Sequence, residues 1–409
     1  MHSTVTNRID NSSGKLLVLG LAVALAVGVC VPGLAQLNTQ NTPEDAVLGS
    51  QNSSVPVTKL ASPSTLTRTA SAGDSSAAES SAGKAATVDP WIQQAELPST
   101  SLEFGASVAV SGSTAAVGAI GSASVFVERD GTWSQQSLPY TMGSPYSVPP
   151  VAVSGSTVVV GGSNGNLGNV SVFVESGGTW TQQALLTASD GEVGDGFGNS
   201  VAIHGSTILV GAPYHQVGSN VRQGAAYVFV ENGGTWTQQA ELTASDGTAN
   251  DLFGSSVGLT ASRVVVGAPV DEDFSSSPGA AYVFSESGGT WTQQVELTES
   301  DGEADDEFGV SVAVSDNTVV VGAPQHAVGG AYVFAPGAAC VFVESGGTWS
   351  QRAELTDFGG TQGGRFGSSV AVQGATILVG APYFNVGSNE WGGRRSCSRK
   401  AAEPGASSR

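Results

Sequence analysis

The chain has 409 residues, of which 12% are charged and 56 are glycine. Lys and Arg total 15 against 35 Asp and Glu, a net charge of −20, which argues against nucleic acid and anionic membrane surfaces as partners because both need a basic footprint. Three cysteines, Cys30, Cys340 and Cys397, are too few for a disulfide framework, so core packing must hold the fold.

An apolar run from Leu16 to Val31 follows Arg8 and Lys15 and precedes the small residues Gly33-Leu34-Ala35. This is a secretory pattern, and residues 1–35 are expected to be a signal peptide cut before Gln36. The run is shorter than the roughly 20 residues that a bilayer span needs, so membrane attachment is expected only through an uncleaved leader. Residues 36–88 are rich in Ser, Thr and Ala and poor in aromatics. They cannot bury enough apolar surface to fold alone, and a disordered linker is expected.

From Asp89 onward one phrase returns. It reads most cleanly from Phe197-Gly198 through Val210-Gly211-Ala212-Pro213 and Tyr227-Val228-Phe229 to Gly233-Gly234-Thr235-Trp236. Trp recurs at 91, 133, 180, 236, 291 and 349, about 42 to 58 residues apart, the period of a radial or stacked array. Each unit holds four strand-like segments, such as 200–203, 207–210, 225–230 and 236–242 in the third. The second is a continuous β-branched run that suits a strand covered on both faces. The fourth alternates, as a half-exposed outer strand does. Four antiparallel strands per unit predict an all-β fold, a β-propeller of about six blades over residues 89–393 with the last incomplete. The second unit has Val148-Pro149-Pro150 where its sisters have Phe-Gly. The lone Trp91–Leu97 strand could close the circle by joining the last blade.

The recurring Phe-Gly, Gly-Ala-Pro, Tyr-Val-Phe and Gly-Gly-Thr-Trp segments resemble the FG-GAP repeat family, best known from integrin α-chain propellers. The resemblance covers Asp89 to about Pro382. It implies a β-propeller, usually seven-bladed, that works outside the cell in adhesion or ligand binding. The family's calcium loop, Asp-X-Asp-X-Asp-Gly in the 1–2 connection, is replaced here by short turns such as His204-Gly205-Ser206. That metal site therefore transfers to no residue of this chain.

In a four-stranded meander the 1–2 and 3–4 turns emerge on one face and the 2–3 and 4–1 loops on the other. Here the former are minimal and the latter long, so a protein or glycan ligand is expected on the 2–3/4–1 face. That face is acidic. Its 4–1 loops carry Asp190 and Asp195, Asp246 and Asp251, and Asp301 and Asp305, while Asp271, Glu272 and Asp273 lie in one 2–3 loop. Carboxylates at such spacing can supply the oxygens that Ca²⁺ takes, so these six aspartates are the candidate metal ligands; the alternative is that Asp-Gly simply makes a good turn. His215 and His326 occupy matching positions after Gly-Ala-Pro. With no third ligand evident in sister units, shared repeat ancestry accounts for the match.

No Ser/His/Asp arrangement, nucleotide loop or Cys/His spacing appears, so a non-catalytic role is expected. The rival reading is a carbohydrate-active, sialidase-like propeller, for which Arg129, Arg222, Arg263, Arg352 and Arg365 are too scattered. A third is a structural surface or matrix protein without a discrete ligand. Ala331-Tyr332-Val333-Phe334 and Ala339-Cys340-Val341-Phe342 look like a tandem duplication, one copy of which should leave the sheet. Cys340 takes a Tyr position and is expected to be buried and inert. Residues 394–409 break the pattern. Suitable codons for Gly392 to Arg409, read one base out of frame, would spell the missing third and Trp strands, so this stretch is expected to be a non-native, frameshifted tail.

Overall fold

The computed structural model describes residues 18–20, 53–60, 91–99, 101, 103–140, 147–162, 167–270, 277–327, 335–356, 364–386 and 389–394. Most of the expected leader and linker, Cys30, Asp271, Glu272 and Asp273, the first copy of the duplicated strand at 331–334, and the tail from 395 lie outside the described residues.

Unit three shows how the repeat becomes a blade. Ser200–His204, Thr207–Ala212, Ala225–Asn232 and Thr235–Leu242 pair in sequence order as one antiparallel sheet. The second strand is buried from Ile208 to Ala212, as its unbroken aliphatic run requires, whereas the fourth alternates exposed and half-buried. Units one, two, four and five repeat this four-stranded order. Their innermost strands stand side by side along the chain, from Ser107–Ser111 through Val151–Ser154, Ser200–His204, Ser256–Leu259 and Ser311–Ser315 to Ser369–Gln373. No helix occurs among the described residues. The fold is a β-propeller, with its core between blades. Ala202, Leu209, Ala226 and Val228 of unit three pack against Phe253, Val257, Val264 and Val266 of unit four.

The signature residues build the blade-to-blade junction. Phe253 is fully buried, with its ring against Tyr282 and Phe284 at centroid distances of 5.5 and 6.0 Å. The next residue, Gly254, has φ +97°, a region that L side chains avoid. Its carbonyl turns toward the preceding blade and accepts the Ser200 hydroxyl at 2.7 Å. A Cβ on Gly211 would collide with that same carbonyl oxygen. Phe-Gly of one unit and Val-Gly-Ala-Pro of the one before are thus two halves of one contact. It recurs as Ser256 to Gly309 at 2.7 Å and Ser311 to Gly367 at 2.8 Å.

The outer strand adds two ties. Its register slips between Val228 and Phe229, leaving Gln239 as the extra residue of a bulge. Gln238 Oε1 accepts the Ser189 N–H of the incoming loop at 3.0 Å, and Gln239 Oε1 accepts Trp291 Nε1–H of the next blade at 3.0 Å. The 3–4 turn is as tight as expected. Gly233 and Gly234 both have positive φ, the requirement of a two-residue hairpin, and the Glu231 carboxylate accepts the Gly234 N–H.

Three features depart from the sequence reading. The Trp91–Ser99 strand pairs with Ser53–Leu60 and not with the last blade, and Ser53–Leu60 pairs in turn with Val18–Gly20. An eight-residue strand therefore lies inside the expected linker; its Val55, Val57 and Thr58 are the β-branched exception in a Ser/Ala-rich stretch. In unit two the missing Phe is replaced from outside the motif, since Tyr140 stacks edge-on to Phe173 at 6.2 Å and donates its hydroxyl to the Gly161 carbonyl. Unit six has its first two strands, Ser369–Gln373 and Thr376–Gly380, followed by a short hairpin of Phe384–Val386 with Asn389–Arg394. Arg394, placed in the tail by the sequence, ends that hairpin. In unit five the second copy of the duplication, within Ala338–Ser345, forms the third strand.

Candidate functional site: the 2–3 and 4–1 loop face

The long loops of each unit meet as the meander requires. In unit three the 2–3 loop joins the 4–1 loop before it through Tyr214 N–H to the Asp195 carbonyl at 3.0 Å. It joins the 4–1 loop after it through Asn250 N–H to Val221 and Phe253 N–H to Gln223, at 3.0 and 2.8 Å. The six expected ligands divide into two kinds. Asp195 and Asp251 fold back on their own loops, accepting Glu192 N–H at 2.7 Å and Thr248 N–H at 2.5 Å. Asp190, Asp246 and Asp301 stand further out, each beside a glutamate from the end of the fourth strand.

Asp305 belongs to neither kind. It is exposed, with φ +71°, and the equivalent of Asp195 is its neighbour Asp306, which accepts Glu303 N–H at 2.7 Å. The correction has a simple cause: the second aspartate falls five residues after the first and two before Phe in all three loops, and only Asp306 keeps both spacings.

Third ligands for the two histidines come from elsewhere in the same unit. His215 is buried, with Nδ1 2.8 Å from Asp195 Oδ2 and Nε2 3.8 Å from Glu241 Oε1. Ligand atoms of Asp190, His215 and Glu241 all lie within 4.8 Å of one another. Beneath them, Tyr227 is fully buried. Burial first, then the charges of Asp190 and Glu241, pushes its hydroxyl far above the usual phenol range. Although Asp190 is near enough to exert that effect, the hydroxyl has no partner at hydrogen-bonding geometry. Glu241 is also raised, by burial and then by Asp190, with His215 opposing.

Unit five keeps the plan with different chemistry. His326 Nδ1 lies 3.0 Å from Asp306 Oδ2 and 3.3 Å from Glu299 Oε2, and its Nε2 is 3.9 Å from Glu354 Oε1. Glu299 stands where unit three has Ala188, and Cys340 where it has Tyr227. The cysteine is buried and donates its thiol to Glu299 Oε1 at 3.1 Å; burial drives its pKa far up, which makes it a poor nucleophile. Contact with Glu299 above all, then Asp306, raises His326 to about 10 against the opposing effect of burial.

The sequence hides these glutamates because the fourth strand reads only as the alternation of a half-exposed outer strand. The register carries the signal: counting back across the Gly-Gly turn places Tyr227 opposite Glu241, Tyr282 opposite Glu296 and Cys340 opposite Glu354.

The same face displays apolar side chains. Four of the five large hydrophobics most exposed among the described residues lie in its loops: Leu167, Val193, Tyr214 and Val221, between 41% and 71% exposed. The Arg222 guanidinium lies 5.0 Å from the Tyr214 ring centroid. Arg263 lies over Trp349, paired with Glu344 at 3.2 Å, and Arg365 lies over Tyr383. These three arginines belong to separate units.

The model of the FG-GAP repeat matches residues 180–229, 236–284, 291–334 and 349–393, each match beginning on the Trp strand of one blade and running into the next. No curated protein matches the chain.

Proposed function

The chain belongs to the FG-GAP repeat family, and on that premise we propose a non-catalytic binding module that works outside the cell. Its ligand is a protein that docks on the 2–3/4–1 face at units two and three. The observation that carries this reading is the exposure of Leu167, Val193, Tyr214 and Val221 in the loops of that face. Aliphatic and tyrosyl side chains rimmed by polar loops are what protein interfaces use as anchors. The opposite face ends in glycine turns with little side chain to offer. Acidic loops around the patch favour a basic partner and speed its approach. The apolar leader supports export, and an extracellular setting agrees with how proteins of this repeat family generally work.

The test is capture on the immobilised full chain from a library of secreted and cell-surface proteins, beside a glycan array. A partner is expected whose affinity falls at least about tenfold when Val193, Tyr214 and Val221 are all changed to Ser. A partner indifferent to those changes, or a ligand found only on the glycan array, overturns the reading. Turnover in a screen of glycosidase and phosphatase substrates overturns its non-catalytic part.

A further inference from the structure

We propose that unit three holds a zinc-class divalent ion between Asp190, His215 and Glu241, with the Tyr227 hydroxyl lying beneath it. This goes beyond protein docking and does not depend on it. Four observations converge. One ligand atom from each of the three residues lies within 4.8 Å of the others. The imidazole is oriented for ligation. Asp195 Oδ2 already accepts the Glu192 N–H, and a carboxylate has no proton to give, so His215 Nδ1 carries the proton of their 2.8 Å bond. In the neutral imidazole that leaves the lone pair on Nε2. That nitrogen faces Glu241 Oε1 at 3.8 Å, too long for a hydrogen bond but a fitting span for an ion bonded at about 2.0–2.2 Å to each. A carboxylate behind the histidine of a metal site is the usual orienting partner.

The fourth observation is Tyr227. Its hydroxyl is fully buried without a hydrogen-bond partner, a state that native proteins rarely tolerate. Tyr227 stands opposite Glu241 in the strand register, and its ring meets His215 edge-on at 6.1 Å. The hydroxyl therefore belongs to the same cluster, where an ion or a water bound to it would satisfy it.

The donor set also selects the ion. Carboxylates alone suggest calcium, but an imidazole nitrogen among few ligands suits zinc and its neighbours. Unit five marks the limit of the proposal. There Asp301, His326 and Glu354 lie as close together, but Glu299 and Asp306 both face His326 Nδ1 and Cys340 replaces the tyrosine.

The test titrates the full chain, stripped with chelator, with Zn²⁺ against a colorimetric zinc indicator. A single saturable site is expected. Glu241→Gln, at an exposed strand position that leaves the fold intact, and His215→Ala should each weaken it at least about tenfold, and Asp195→Asn about 10- to 100-fold. His326→Ala should leave it unchanged. Co²⁺ in place of Zn²⁺ should give visible absorption bands that vanish in Glu241→Gln. The proposal is overturned by an absence of saturable Zn²⁺ binding, by equal affinity in Glu241→Gln and the parent, by loss in His326→Ala with retention in His215→Ala, or by displacement of Zn²⁺ with a modest excess of Ca²⁺.

Discussion

His326 is the residue on which the behaviour of unit five with pH turns. Four carboxylates surround it: Glu299, Asp301 and Asp306 from the incoming loop and Glu354 from the fourth strand. Its pKa stands at about 10 against an ordinary 6.5. A basic group raised on folding stabilises fully below its unfolded pKa and loses that contribution as pH climbs through the folded one. Chemical unfolding followed from about pH 6.5 to about pH 10 should show stability falling, by at most about 1.4 kcal/mol per pH unit from this group. Glu299→Gln should flatten the decline, because it removes the largest cause of the shift while keeping an acceptor for the Cys340 thiol. A slope unchanged in that variant would assign the decline to other groups. Tyr227 gives a second, opposite expectation. With no metal present its unpartnered hydroxyl contributes nothing, so Tyr227→Phe should leave thermal stability unchanged or slightly higher in chelator.

Between elements, the most demanding contact is the glycine junction. A Cβ on Gly267 would collide with the Gly309 carbonyl oxygen of the next blade and with Ser256 Oγ of its own. Both belong to packed strands or to a turn fixed by a buried Phe, so neither can yield cheaply. Gly267→Ala should cost about 3 kcal/mol or more, at the upper end of overpacking changes, read as a shift in the urea midpoint. Gly205→Ala is the control. It has open space around its Cβ and pays only for φ +57°, about 1–2 kcal/mol. Equal losses at the two sites would mean that blade contact is not what the Val-Gly-Ala glycine serves. The Trp ladder should weigh less. Gln183→Ala removes the acceptor of Trp236 Nε1–H, a 2.8 Å bond at an exposed edge, and should cost about 0.5–1.5 kcal/mol.

Across the whole molecule, the net charge is −20, and residues 89–393 alone carry 29 Asp and Glu against 5 Arg, a net of −24 with few compensating cations. Self-repulsion of that kind is screened by salt. The melting temperature should therefore rise between about 10 mM and about 500 mM NaCl. A fall would show that ion pairs such as Arg263–Glu344 outweigh the repulsion. Each blade shares its core with the next, as Phe253 of unit four does with Leu209 and Val228 of unit three, so stability passes from neighbour to neighbour.

The repeated phrase made the blade legible, because strand alternation, β-branched runs and glycine turns are local signals that a sequence carries within a few residues. Phe253-Gly254 and Val210-Gly211-Ala212 could be seen to recur; that they touch each other across a blade boundary could not. The same holds for the loop face. Aspartates at a fixed spacing are visible, but that the third loop turns on Asp306, beside the expected Asp305, shows only in its hydrogen bond to Glu303 N–H. Glu241 stands in the alternation of a half-exposed strand with no sign of its loop neighbours, and nothing local marks Tyr140 as the stand-in for a missing Phe. These are matters of register and of lateral packing between segments some fifty residues apart. Composition and local pattern set which strands form. Only the closing of one sheet against the next decides which side chains meet, and at His215 that meeting of loop, loop and strand end makes the site.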